Sequence, residues 1–445
     1  MIQIFVAFVL GILFALSFYS FSLGFVCSAL FLLENIFKDK VYWFQYYYSF
    51  AFGYISFSLY WLIYPFLILN LSELSFLLVF FWSIVAFPIA LALYLLRDYP
   101  FYTKSIGLAL FMSVYEHLLE LAHIPWLLLG QAMRFDLVLL QIVNLGSVYV
   151  LTFVSVIFWT IPYLLFVTKK KLLWFLHLFV FFLLYYLVCL YLMHNHENVH
   201  IICENPSEND YCFKVVQTNM TQSDKNMSNP AMLSNIIERE SSFPIQSKRN
   251  ILILPESIFF EPIDAKRDFI SVEGFDLIFG GVRMDNDLLY NSMFFINSSV
   301  SYYDKVHLVP FGEFIPIFQS FFKNTLNLDS FDSGDHVKLI RFDERYFILP
   351  MICYDVIFQL YKKKIHNDYE KILVIVNIAN NAWFGRSLAL NKYFEHARLR
   401  AIQLRLPIIV CCNSGISGLI DSLGKVLIKF ADNSYNSFSF GMGMK

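Results

Sequence analysis

Seven apolar windows in the first 195 residues, roughly 3–19, 22–37, 43–67, 75–97, 104–122, 138–168 and 172–193, constrain this chain more than anything else in it. A bilayer core takes about 20 helical residues to cross, and each window reaches or approaches that length. Backbone in lipid must satisfy its own hydrogen bonds, so such windows are helical. The second is short enough to be tilted or re-entrant. With 58% hydrophobic and 15% charged residues and a mean hydropathy of +0.57, the chain is too apolar for a soluble enzyme of its size. The N-terminus shows no basic leader and no small-residue cleavage site, so the first window reads as a retained helix rather than a signal peptide.

Basic residues set an expected orientation. Lys38 and Lys40 follow window two, Arg97 and Lys104 separate windows four and five, and Lys169, Lys170 and Lys171 separate six and seven. The alternate loops carry only Arg134. This bias puts the N-terminus inside and everything after window seven outside. The net charge of -2 adds nothing to this, and no basic patch points to a nucleic-acid partner.

Glu116 and Glu120 interrupt window five. An intramembrane carboxylate is costly and marks a candidate for function. Glu120 reads as lying near a wet helix end beside Leu121 to Pro125, whereas Glu116 stays open between the two readings. His194, His196 and His200 form a histidine run without further ligands at suitable spacing, so no metal site is expected.

From about residue 200 the pattern changes to short apolar strands with polar connections and intervening helical stretches, as in an α/β domain with its working groups on loops at strand ends. Expected strands are Lys214–Gln217, Ile251–Leu254, Asp276–Val282, Met293–Ile296, Tyr346–Pro350, Ile372–Ile378 and Pro407–Cys412, with a helix over about 390–405. The division is 1–195 for the membrane domain, 200–432 for the catalytic domain and 433–445 for a polar, Ser/Asn-rich tail.

Three strand ends carry chemistry in chain order: Glu256, Lys305 and Cys353. Cys353 ends one apolar run and opens a stretch, Val356 to Tyr361, that reads as a helix start, where amides favour a thiolate and an oxyanion. A nucleophilic thiol needs a base and a cation, which a carboxylate and an ammonium can supply. Against this, a free cysteine is commonly a core residue, and Glu256 or Lys305 taken alone reads as a surface charge. Glu313, in apolar surroundings eight residues after Lys305, lies close enough to share the site. Residues 317–323 are aromatic-rich and either pack on the domain or dip into the membrane surface. Of seven cysteines, Cys203 and Cys212 flank a turn-rich stretch and are candidates for a disulfide, while Cys411 and Cys412 read as core.

The Glu–Lys–Cys order resembles the nitrilase, or carbon–nitrogen hydrolase, superfamily. More of the chain resembles its apolipoprotein N-acyltransferase branch: the multi-span first half, Ile124-Pro125-Trp126, Gln141 with Gly146, Val216-Gln217-Thr218-Asn219, Leu254-Pro255-Glu256, Lys305 to Glu313, Ile352-Cys353-Tyr354 and Asn380-Asn381-Ala382-Trp383-Phe384-Gly385. The resemblance implies a membrane domain of about seven spans followed by an αββα sandwich outside the cytoplasmic membrane of a bacterium. It implies Cys353 as nucleophile, Glu256 as general base, Lys305 as oxyanion-stabilising cation, and Glu313, Tyr354 and Asp355 in support. It further implies a ping-pong reaction without cofactor: a phospholipid gives an acyl chain to Cys353, and the α-amine of a diacylglyceryl-cysteine apolipoprotein takes it. Asp355 stands where the family usually has Glu, Asn226 where a tryptophan is usual, and the tail where a further span is common. Two rivals share the pattern, a membrane-tethered amidase and a non-enzymatic protein with a decayed nitrilase domain.

Overall fold

A computed structural model describes residues 1–37, 42–68, 70–145, 147–195, 200–202, 210–220, 230–241, 249–263, 274–310, 312–314, 331–359, 365–430 and 434–443. Lys38, Lys40, Gly146, His196, Cys203, Asn226 and the segment 317–323 lie outside them. The chain divides into two compact units, Met1–Asn195 with Trp383–Lys392, and His196–Ala382 with Tyr393–Lys445.

The first unit holds α1 (Ile2–Ala15), α2 (Val26–Ile36), α3 (Trp43–Ser58), α4 (Ile63–Ile68), α5 (Leu77–Leu96), α6 (Phe101–Leu121), α7 (Leu137–Leu140), α8 (Tyr149–Val167) and α9 (Lys171–His194). Among the described residues, three helices are long and apolar enough to cross a membrane: Ser72–Leu96, Tyr149–Val167 and Lys171–His194. A fourth forms if Trp43–Ser58 and Tyr60–Ile68, bent by 56°, count as one span. The third window is thus broken, and the sixth is shorter than expected. Its first part folds as α7 and a 3-10 turn, Gln141–Asn144, because Asp136 caps α7 by accepting the Val138 amide at 2.7 Å and starts a separate element.

Without a hydrophobic force between helices in lipid, small residues decide which pairs approach. α1 and α3 cross at Gly11 and Gly53, where a Cβ would lie 2.1 Å from the Phe50 carbonyl oxygen and 2.3 Å from that of Phe8. Charge is buried only with a partner: Lys104 in α6 meets Glu34 in α2 at 2.6 Å. Glu116 is 1% exposed, and its carboxylate accepts the Leu129 amide at 2.8 Å and the Thr152 hydroxyl at 2.5 Å. Glu120 is half-buried and accepts the Tyr149 hydroxyl.

The second unit stacks two sheets. The first runs β1 (His200–Ile202), β14 (Asn436–Gly443), β2 (Tyr211–Gln217), β3 (Arg249–Ile253), β5 (Asp276–Asp285), β6 (Leu288–Ile296), β7 (Val300–Asp304), with β4 (Phe259–Ile263) on β5. The second runs β13 (Val426–Lys429), β12 (Gly418–Ile420), β11 (Ile408–Cys412), β10 (Ile372–Ala379), β9 (Phe347–Ile352), β8 (Ile340–Arg341). Each has a parallel centre, β2–β3–β5 and β9–β10–β11. Strands buried on both faces read as continuous apolar runs, as β10 does.

On β3 and its neighbours, Leu252, Leu254, Leu277 and Phe279 pack with Ile236 and Ile237 of α10 (Pro230–Glu240). Between the sheets Phe342 meets Phe213 and Phe295. The second sheet carries α11 (Leu388–Leu404), whose Phe394 ring faces Gly418 of β12. This is the expected αββα sandwich.

Three expectations need correcting. Within the stretch 433–445 expected as a polar tail, Asn436–Gly443 is strand β14, which pairs with both β1 and β2, and Phe440 and Met442 are buried at alternate positions that the intervening serines and glycines mask in composition. Lys305 follows β7 rather than Met293–Ile296, because β5, β6 and β7 form consecutive antiparallel pairs. The β5–β6 hairpin turns through Asn286 and Asp287, both at positive φ. Finally, Trp383–Lys392, expected inside the catalytic domain, packs with the first unit.

Candidate active site

Glu256 lies just beyond β3, Lys305 beyond β7, Cys353 beyond β9 and Asn380 beyond β10. Parallel strands lead the chain out of a sheet at their carboxyl ends, where ligands of α/β folds gather. Cys353 takes φ 43°, a left-handed conformation that costs a non-glycine residue on the order of 1–3 kcal/mol. The corner lifts its side chain off the strand. Of the stretch expected to open a helix there, the described residues form a 3-10 turn, Cys353–Ile357.

Lys305 is 1% exposed and Glu256 4%, which removes the surface-charge reading of both. The Lys305 ammonium donates to Glu313 Oε1 at 2.8 Å and lies 3.3 Å from Glu256 Oε1. Glu313 Oε2 accepts the Val309 amide at 2.8 Å. Asn291 donates its side-chain amide to Glu256 Oε1 at 2.8 Å and to Glu313 Oε1 at 2.7 Å, bridging the two carboxylates. Glu256 Oε2 accepts the Asn380 main-chain amide at 2.7 Å. The Cys353 thiol lies in the field of Glu256, Lys305 and Glu313.

Burial alone would neutralise Lys305, but Glu256 and Glu313 outweigh it and hold the ammonium above the usual lysine range. Burial pushes the Cys353 thiol well above its ordinary value and Glu256 adds to this; Lys305 and the Asn380 amide oppose without cancelling. The resting group is therefore a thiol beside a carboxylate. Attack needs proton removal in the same step, the work of a general base.

Asp355 is turned away from the ammonium. Its Oδ1 accepts the His307 amide at 2.8 Å and its Oδ2 accepts the Tyr303 hydroxyl and the Ile352 amide, both at 3.0 Å. It thereby ties the Lys305 loop to the cysteine corner. Tyr354 packs edge-on against Phe358, which stacks on His307 at 4.1 Å.

Residues 273–436 match the carbon-nitrogen hydrolase family. Over that stretch, a little over a third of the chain, the protein is similar to carbon–nitrogen hydrolases. Lys305, Glu313 and Cys353 fall inside the matched stretch, and Glu256 just before it. The chain is similar to the apolipoprotein N-acyltransferase of Rickettsia prowazekii, 26% identical over 87% of this chain and 81% of that protein. That of Rickettsia bellii is 27% identical over 87% and 80%. The enzyme of the same name from Allorhizobium ampelinum is 35% identical over 41% of this chain and 38% of its own length.

Sequence reasoning missed four residues around the candidate site. Asn291 lies inside β6 and looks like any polar strand residue. Arg283 clamps Asp304, the neighbour of Lys305, with two hydrogen bonds of 2.8 and 2.9 Å. Tyr393 sets its hydroxyl 3.1 Å from the Cys353 carbonyl oxygen and 2.7 Å from Asn377 Oδ1. Asn413 joins Asn380 to the 218–220 turn, accepting the Thr218 hydroxyl at 2.7 Å. Only the polar interruptions of apolar runs at Asn291 and Asn377 signalled them.

Proposed function

We propose that this protein is an apolipoprotein N-acyltransferase. The observation that carries the reading is the buried Glu256–Lys305–Glu313 cluster against Cys353, in a chain whose relatives of that name match it over 87% of its length. In the first half-reaction Glu256 takes the thiol proton while sulfur attacks the ester carbonyl of a phospholipid. Lys305 steadies the oxyanion. Collapse breaks the ester C–O bond, the departing lysophospholipid oxygen takes the proton from Glu256, and the acyl group stays on Cys353 as a thioester. In the second half-reaction the α-amine of the diacylglyceryl-cysteine attacks the thioester and gives its proton to Glu256. Collapse forms the amide, and the expelled sulfur regains the proton.

The domain works outside the cytoplasmic membrane in this reading. Lys104 on Glu34, and Asn35 on Tyr163 at 2.8 Å, bring the end of α2, the start of α6 and the end of α8 to one level of the first unit. Glu120 on Tyr149 joins the end of α6 to the start of α8. These are the connections that the basic-residue count assigns to common sides. Mass spectrometry of protein incubated with phospholipid alone tests the chemistry. A long acyl chain on Cys353, released by hydroxylamine, is expected; its absence would favour an amidase.

A further inference from the structure

Glu256 rides on an interruption in the pairing along one edge of β5. β3 pairs with β5 as far as Ile253 on Ile278, and β4 resumes the pairing with Phe259 on Gly281, both strands running parallel to β5. Over this interval the chain from Ile253 to Phe259 advances six residues while β5, from Ile278 to Gly281, advances three. The surplus bulges outward at 254–258, with Ser257 in a left-handed φ of 55°. Bulges next to active sites re-aim a side chain. This one carries the carboxylate that meets Lys305, Asn291 and the Asn380 amide, each from a different element.

β5 grips the bulge through its backbone. The Leu254 amide donates to the Ile278 carbonyl at 2.8 Å, the Gly280 amide to that of Pro255 at 3.1 Å and the Ile258 amide to that of Gly280 at 3.2 Å. At the centre of this grip a Cβ on Gly280 would lie 2.6 Å from the Glu256 Cα, and 3.0 Å from both the Ser257 nitrogen and Ile378 Cδ1. The nearest of these atoms is main chain and cannot swing aside. Gly280 is not among the residues at positive φ, so close approach of two backbones, rather than conformational freedom, calls for glycine here. Gly281 differs, since a Cβ there would come no closer than 3.4 Å to Phe259 or Phe294, an ordinary contact.

We infer that Gly280 is a positioning residue for Glu256: bare backbone at this point of β5 lets the bulge lie down on the strand, which brings the carboxylate within reach of Lys305, Asn291 and Asn380 at once. The inference rests on the reading of Glu256 as general base for Cys353, but not on the identity of the acyl donor or acceptor. In a competing account the glycine serves only to admit Ile378 Cδ1, which comes from β10 of the other sheet.

The test uses full-length protein in detergent and follows acylation of Cys353 by p-nitrophenyl butyrate, read by p-nitrophenolate release and mass spectrometry, beside long-chain thioester formation from phospholipid. Glu256 takes the thiol proton, sulfur takes the butyryl group and p-nitrophenolate leaves, so the ester reports base and nucleophile without a lipid donor. Gly280→Ala should lower the limiting rate of acylation about 10²-fold, the effect of misplacing a reacting group by on the order of 1 Å. The half-saturating ester concentration should change little, because the loss lies in the chemical step. Gly281→Ala, one residue away, should match the parent. Adding Ile378→Val to Gly280→Ala removes Cδ1, the contact of the competing account; it should restore thermal stability but not the rate, and it covers the case in which the single variant fails to fold. A parental rate in folded Gly280→Ala, its recovery on adding Ile378→Val, or an equal loss in Gly281→Ala would overturn the inference. A loss confined to the Gly280 variants, in protein that takes butyryl but never a long chain from phospholipid, would leave the inference standing and remove the acyltransferase reading. A parent acylated by neither ester would remove Glu256 and Cys353 as base and nucleophile, and the inference with them.

Discussion

Asp355 holds His307 twice, accepting its main-chain amide at 2.8 Å and facing its ring Nδ1 at 3.0 Å. His307 is two residues past Lys305 and Asp355 two past Cys353, so one carboxylate sets the distance between the cation loop and the nucleophile corner. Asp355→Ala would orphan the Ile352 and His307 amides at about 1–3 kcal/mol for each buried donor left unpaired. Thermal unfolding should come earlier and turnover should drop with it. Asp355→Asn retains an acceptor oxygen and should lose less of both. Equal behaviour of the alanine variant and the parent in both assays would remove the tie.

The raised thiol pKa makes a prediction about pH. A preformed thiolate, as beside a histidinium, reacts at a rate already level near neutrality. Here the neutral thiol is favoured by burial and by Glu256, so the thiolate fraction of the free protein grows only as pH rises. Modification of Cys353 by a small thiol reagent should keep accelerating past about pH 8.5, the ordinary cysteine value, without a plateau below it. A plateau near pH 7 would contradict the resting state derived from the geometry.

How far the sequence revealed this molecule depended on whether neighbours in space were neighbours in pattern. β9 and β10 were legible because strands buried on both faces leave nearly continuous apolar runs, broken in β10 only by Asn377, and the groups that follow such runs, Cys353 and Asn380, could be placed at strand ends. Glu256 and Lys305 were found by their chemistry in chain order. β14 was hidden because Ser437, Ser439 and Gly441 dilute the alternation of Phe438, Phe440 and Met442. Asn291 and Tyr393 were hidden because their roles depend on pairing across sheet and helix. The packing of Trp383–Lys392 with the first unit was hidden most fully, since nothing in that stretch announces contacts with Tyr60 and Trp61 more than three hundred positions earlier.

Orientation has its own check. If the loops bearing Arg97 and Lys169 to Lys171 face the cytoplasm, reporter fusions there should give cytoplasmic signals, and a fusion near residue 300 should report from outside. A cytoplasmic signal from the second unit would remove access to exported lipoproteins, and with it the proposed acceptor.

Lys305 separates a catalytic from a merely structural cation most cleanly. Lys305→Met keeps most of the volume and deletes the charge. If the ammonium steadies the oxyanion, acyl-thioester formation should fall on the order of 10²-fold or more, as on removing an oxyanion-hole donor. The same change leaves Glu256 and Glu313, both on the Asn291 amide, facing each other without a counter-charge. A buried charge left without its partner is costly, so the variant should also unfold at a lower temperature than the parent. Near-normal thioester formation would remove the catalytic role, and an unchanged unfolding temperature would show that the two carboxylates do not depend on Lys305 for their stability.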